Sequence, residues 1–279
     1  MRTAAVLWRS SHPGPTVVVT VLALALGISI GLDVWRLALL VLSVLCGQLS
    51  IGISNDAIDA PRDRVVGRTD KPLTVADAPL RVAWIAAFST AAVALALSLV
   101  LSWQMALAHA VFLASGWAYN AALKSTIFSA GCFALGFGVF PSLAPLSLPD
   151  PVVAVWWAWV AGAVLGIAVH FSNVLPDLDD DARTGVRGLP HRIGRRGSAV
   201  VAAVSLVLGA CAVLIGEWVG GGPVPDALRW LFFGGVTVVA VAGLIAAVTP
   251  QPRRLVFRLV MTAALLLAVE LVVVGGLAG

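Results

Sequence analysis

The 279 residues are 60% hydrophobic and 11% charged, with a mean hydropathy of +0.99. A water-soluble core could not hide that much apolar surface, so the composition excludes an ordinary soluble domain and points to an all-helical polytopic membrane protein. The formal net charge of +4 fits loops that face anionic headgroups and gives no reason to invoke nucleic acid.

Nine stretches are long enough to cross hydrocarbon: roughly 16–32, 35–53, 82–101, 103–119, 127–147, 152–175, 199–219, 229–248 and 254–277. Each is near the ~20 residues that a spanning helix needs. The first resembles a secretory segment, but no small-residue cleavage site precedes the second run near Trp35, so it is expected to stay as a helix. With the N-terminus in the cytoplasm, 16 of the 18 Lys and Arg residues fall in cytoplasmic segments and only Arg36 and Arg229 on the far side. Nine spans with N-in and C-out are therefore expected, in a single domain over 1–279. Cys46, Cys132 and Cys211 are isolated along the chain and read as small intramembrane hydrophobes, with no disulfide framework or Cys-based metal site.

A polar frame follows the second apolar run and returns after the sixth. Ser54, Asn55, Asp59, Asp63, Gly67 and Pro72 match Ser172, Asn173, Asp177, Asp181, Gly185 and Pro190 at a fixed offset of 118 residues. The offset contains four spans, an even number, so helices one to four and five to eight form parallel repeats with the ninth added. Both acidic segments then emerge on the same cytoplasmic face.

Within each segment the oxygen-bearing side chains recur every fourth position: Asn55, Asp59, Asp63, and Asn173, Asp177, Asp181. On a helix that spacing stacks them along one face. A column of carboxylates repels itself unless a cation sits on it, and two facing columns supply the hard oxygen ligands that suit Mg²⁺. Asp56, Asp179 and Asp180 break the repeat and read as supporting or solvent-facing groups; the bland reading of the whole set is solvated loop carboxylates that balance nearby arginines. Downstream, Arg68, Lys71, Arg187 and Lys124 could contact a phosphate-rich ligand, although the positive-inside bias also accounts for them. Tyr119, the only tyrosine, shares the segment YNAALK with Lys124.

These segments resemble the UbiA superfamily of intramembrane prenyltransferases. NDAIDAPRD is similar to its NDxxDxxxD motif, and DLDDD with TGVRGLP is similar to its second DxxxD motif and GxRxLP tail. RTDKPL, YNAALK and RSSHPGPT resemble further segments of that family, so the likeness covers the whole chain. The resemblance implies an isoprenyl diphosphate donor bound through Mg²⁺ between the Asp-rich segments. Asn55, Asp56, Asp59, Asp63, Asp177 and Asp181 would hold the metal, Arg68, Lys71, Tyr119 and Lys124 would contact the diphosphate, and Asn173 would lie at the same site. Lys71 stands where the family commonly has Arg.

The expected activity is transfer of the isoprenyl group to an aromatic or other lipophilic acceptor in the membrane, with loss of diphosphate. Arg9, His12 and Asn120 are candidates for the acceptor's polar end. Phe128, Phe133, Phe137 and Phe140 would face lipid or neighbouring helices, or alternatively line the prenyl chain. His109 and His170 read as hydrogen-bonded helix–helix contacts, and Glu270 as a group reaching the interface or a partner helix. Two other functions fit less well: a terpene synthase that cyclises the same donor without an acceptor, and a cation transporter, which would place charges through the membrane thickness.

Overall fold

The computed structural model describes residues 3–65, 67–68, 71–74, 79–176, 178, 185, 187–220, 226–249 and 255–274, and every regular element among them is helical. In chain order they are α1 (Thr3–Ser10), α2 (Pro13–Ser29), α3 (Val34–Val65), α4 (Leu80–Leu101), α5 (Trp103–Ala121), α6 (Ser129–Val139), α7 (Trp156–Val174), α8 (Leu189–Gly220), α9 (Asp226–Val248) and α10 (Leu255–Val274). Among the described residues each apolar run of the sequence lies on one of α2 to α10. Five of these helices are long and apolar enough to cross a membrane, and the bent pair α1 and α2 together makes up to six.

Chain neighbours pack on one another from α2 to α10, and α10 returns to pack against α2 and α7, so the bundle closes on itself. Its core is aliphatic, with Leu40, Val44, Met105, Leu206 and Val236 fully buried, while large apolar side chains such as Phe88, Leu99, Val204 and Val238 point outward. Outward apolar faces of this kind suit lipid as the surrounding medium. α6 and α7 approach closely where α7 carries Gly162 and Gly166: a Cβ on either would collide with the carbonyls of Phe137 and Phe133.

Three breaks shape the site. α1 and α2 meet at 68° across Ser11 and His12, and His12 takes the left-handed backbone (φ 53°) that a residue with a Cβ rarely adopts. α6, expected to run unbroken to residue 147, gives way to 3₁₀ turns at Phe140–Leu143 and Pro145–Ser147, since Pro141 and Pro145 have no amide hydrogen to continue the ladder. α8 bends at Gly194 (φ 73°).

α3 is the long exception. Its 32 residues extend about 48 Å, well past a hydrocarbon layer of about 30 Å, so the helix carries its polar C-terminal turns beyond the apolar part. It ends in a Schellman motif, in which the Arg68 amide donates to the Asp63 carbonyl (3.0 Å), the Gly67 amide to that of Arg64 (3.2 Å), and Gly67 supplies the left-handed residue (φ 71°).

Candidate active site

The extension of α3 puts Asn55, Asp56, Asp59 and Asp63 on one helix, and all four line a cavity of about 560 Å³. Widely separated elements contribute walls: His12 from the α1–α2 elbow, Arg68 and Lys71 from the loop after α3, Tyr119 and Lys124 from the end of α5 and beyond. His170 and Asn173 come from α7, His191 from α8 and Arg258 from α10. Among the described lining residues six are Arg or Lys (Arg9, Arg62, Arg68, Lys71, Lys124, Arg258) against three carboxylates, a balance suited to a polyanionic ligand.

Each carboxylate already has a cationic partner. Lys124 donates to Asp59 Oδ1, and Arg62 Nη2 lies 3.5 Å from Asp59 Oδ2 and 3.4 Å from Asp63 Oδ1. Lys71 Nζ donates to Asp56 Oδ1 (2.6 Å), and His12 Nε2 donates to the same oxygen (3.1 Å). Mutual neutralisation is what allows charges this poorly exposed to be buried at the wall of the cavity. Asn55, Asp59 and Asp63 offer hard oxygens, spaced along one helix face, that could hold a divalent cation. Among the described residues no three His, Cys, Asp or Glu side chains form a metal-sized cluster. Asp177 and Asp181, the expected partners on the second segment, lie outside the described residues, as do Asp179 and Asp180.

The second segment departs from an unbroken column. α7 stops at Val174 and the chain turns at Leu175 and Pro176, because Pro176 has no amide hydrogen for the Ser172 carbonyl. Asn173, in the last turn, opens into the cavity. The GxRxLP tail packs beside the Lys124 loop: the Leu189 amide donates to Ser129 Oγ (3.3 Å), and a Cβ on Gly188 would strike the Lys124 carbonyl. Arg187 is exposed and does not line the cavity.

Beneath the charged cavity lies a second, apolar chamber of about 170 Å³ that shares His12, Asn55, Tyr119, Asn173 and Phe257 with it. Phe112, Phe133, Phe137, Val169 and Met261 make its walls, and Gln48 and Cys132 also border it. Tyr119 stands edge-on to Phe133 (5.0 Å between ring centres) and His170 (5.5 Å) at the join between the two spaces. Of the four phenylalanines singled out in the sequence, Phe133 and Phe137 line the chamber, Phe140 is buried against Phe112, and Phe128 points outward.

Asn120, a candidate for acceptor binding, serves as a bracket for the motif: its Nδ2 donates to the Ile51 carbonyl (2.9 Å) and Ser54 Oγ (3.1 Å), and its Oδ1 accepts from Asn55 Nδ2 (2.9 Å). His109 and His170 are the expected helix–helix contacts, pairing with Ser98 (2.7 Å) across α4 and α5 and with Ser129 (3.0 Å) across α6 and α7. Glu270 is buried on α10. Arg62, His191 and Arg258 are cavity residues that periodicity did not single out, since a basic residue at the membrane edge carries the same signal wherever it points.

Known proteins share this architecture. The chain resembles the structure of a UbiA homolog from Archaeoglobus fulgidus bound to GPP and Mg²⁺ (17% identity, TM-score 0.72, covering 97% of this chain and 98% of that one). It also resembles the apo structure of a UbiA homolog from Aeropyrum pernix K1 (16%, 0.74, 98% of each) and a structure described for digeranylgeranylglyceryl phosphate synthase in membranes (13%, 0.69, 99% of each). At these identities the likeness establishes the fold. No curated protein matches the chain in sequence. The UbiA prenyltransferase family profile matches residues 16–266, nearly the whole bundle, and the chain belongs to that family.

Proposed function

We propose that the protein is a Mg²⁺-dependent enzyme of the membrane that takes an isoprenyl diphosphate and transfers its isoprenyl group to an aromatic or other lipophilic acceptor, releasing diphosphate. The observation that carries this reading is the join of two unlike spaces: a cavity lined by six basic side chains and three carboxylates opens onto an aromatic chamber, which suits a ligand with a polyanionic head and an apolar tail. Family membership and the GPP- and Mg²⁺-bound relative support the same chemistry.

The donor set fits the metal, because Asn55, Asp59 and Asp63 present hard oxygens at the rim where the basic residues also gather. We assign them as its ligands, with Asp177 and Asp181 completing the set. When bound, Mg²⁺ would neutralise charge on the diphosphate oxygens. Lys124, Arg68 and Lys71 lower the barrier by meeting the negative charge that grows on the leaving oxygens. Tyr119, Phe133 and Phe137 keep water from the allylic cation and offer it aromatic faces. Arg9 and His12, which line the charged cavity, and Asn120, which lines the apolar chamber, are the candidates for the acceptor's polar end.

In the membrane we place nine spans, α2 to α10, with the N-terminus and the charged cavity on the cytoplasmic side, and α2–α5 and α6–α9 as parallel repeats. The census of basic residues and the chain order of the helices support this arrangement. Purified protein incubated with a radiolabelled isoprenyl diphosphate, Mg²⁺ and a panel of phenolic and lipid acceptors is expected to give a prenylated product. A cyclic terpene formed without acceptor would reassign it as a synthase, and no conversion under any condition would refute the reading.

A further inference from the structure

Asp56 stands apart from its neighbours on α3. Its side chain is 2% exposed, and one oxygen, Oδ1, accepts from two segments that are remote in sequence: Lys71 Nζ at 2.6 Å and His12 Nε2 at 3.1 Å. Asp59 and Asp63, by contrast, share Arg62 from their own helix, and Asp59 also pairs with Lys124.

Both segments held by Asp56 need holding. His12 sits in the left-handed region (φ 53°, ψ 69°), a conformation that persists in a residue with a Cβ only where its surroundings over-determine it. The elbow it belongs to is pressed against α3: a Cβ on Gly52 would run into the Ser11 backbone, and Thr16 Oγ1 closes onto the Ser11 carbonyl (2.6 Å). On the other side Lys71 belongs to a tight loop in which Thr74 Oγ1 bonds the carbonyls of Arg68 (2.6 Å) and Lys71 (2.7 Å). Lysine has three N–H donors. With one directed to Asp56, the ammonium is fixed at the cavity wall and two donors remain for a ligand.

Building on the prenyl diphosphate reading, we propose that Asp56 is a positioning residue and not a metal ligand: it clasps the α1–α2 elbow and the α3–α4 loop onto α3 and aims Lys71 at the diphosphate. A metal on Asp56 would compete with both partners for the charge of a single carboxylate, which loosens a strained elbow on one side and a phosphate-binding lysine on the other. Asp59 and Asp63 take Arg62 from their own helix, and exchange of that partner for a metal undoes no junction between segments.

The test compares Asp56→Asn with Asp59→Asn in detergent-purified protein, with Mn²⁺ alone followed by electron paramagnetic resonance, inorganic pyrophosphate followed by calorimetry, and backbone hydrogen exchange at residues 8–16 and 67–74. For Asp56→Asn we expect the number and affinity of bound Mn²⁺ ions to stay within about twofold of wild type. Pyrophosphate should bind about tenfold more weakly, the scale of one charge-assisted contact, and both peptides should exchange faster. Asp59→Asn should lose Mn²⁺ with the two peptides unchanged. Should Asp56→Asn fold poorly, Lys71→Met and His12→Ala each remove one arm: the first should weaken only pyrophosphate binding, the second should speed exchange only at the elbow. Loss of Mn²⁺ from Asp56→Asn with unchanged exchange would overturn the proposal and leave the prenyl diphosphate reading standing. Wild-type protein that binds neither probe would remove that reading and the proposal with it.

Discussion

Lys124 and Asp59 are the pair on which residue-level chemistry turns. The lysine arrives from the short 3₁₀ turn after α5 and donates to a carboxylate on α3, so the two groups meet only in the folded bundle. In the proposed reaction their tasks diverge, the carboxylate holding metal and the ammonium facing the leaving oxygens. Substituting either group therefore removes transition-state stabilisation and not merely fold: Lys124→Ala and Asp59→Asn should each lower kcat by about 10²–10³, measured as diphosphate release, with thermal unfolding in detergent near that of wild type. Asn120 illustrates what sequence could not supply. As a polar residue near the end of a helix it looks available to a ligand, but the α3–α5 register spends all three of its observed hydrogen bonds on the backbone and side chains around Asn55. The same holds for His12 and Asp56, 44 residues apart, whose contact depends on a left-handed elbow that no periodicity reveals.

At the scale of elements, hydropathy located the helices because lipid leaves the backbone no alternative to internal hydrogen bonding. It located their ends less well. α3 runs on for about three turns past its apolar stretch because Asn55, Asp56 and Asp59 are satisfied by tertiary partners, and hydropathy is blind to those. α6, by contrast, ends early where its prolines break the ladder. The Schellman cap at Gly67 is what turns Arg68 and the Lys71 loop back toward the cavity. Gly67→Val would force a branched side chain into a left-handed backbone, at a cost of about 1–2 kcal/mol; its unfolding temperature should fall and its affinity for pyrophosphate weaken. A separate expectation concerns the α6–α7 contact. Gly166→Val would wedge a side chain against the Phe133 carbonyl, destabilising by about 1–3 kcal/mol and shifting Phe133 at the chamber wall. Thermal unfolding and the KM for the prenyl donor should both report it.

For the whole molecule, the helices pack in chain order from α2 to α9, with α10 closing the ring against α2. The cavity draws on α1–α3, α5, α7, α8 and α10, so its walls exist only once the bundle is assembled. Orientation is testable directly. In protein whose Cys46, Cys132 and Cys211 are replaced by Ala, Ser125→Cys should react with a membrane-impermeant maleimide only from the cytoplasmic side and Asp150→Cys only from the opposite side; the reverse pattern would invert the topology.

Diphosphate release from a radiolabelled isoprenyl diphosphate tests most directly the proposed gathering of metal and diphosphate by carboxylates at one mouth of the bundle. Wild-type protein should release diphosphate with Mg²⁺ and stop when the metal is chelated, and Asp59→Asn should be slower by at least about 10². Release that persists in chelator, or an Asp59→Asn variant as fast as wild type, would contradict it.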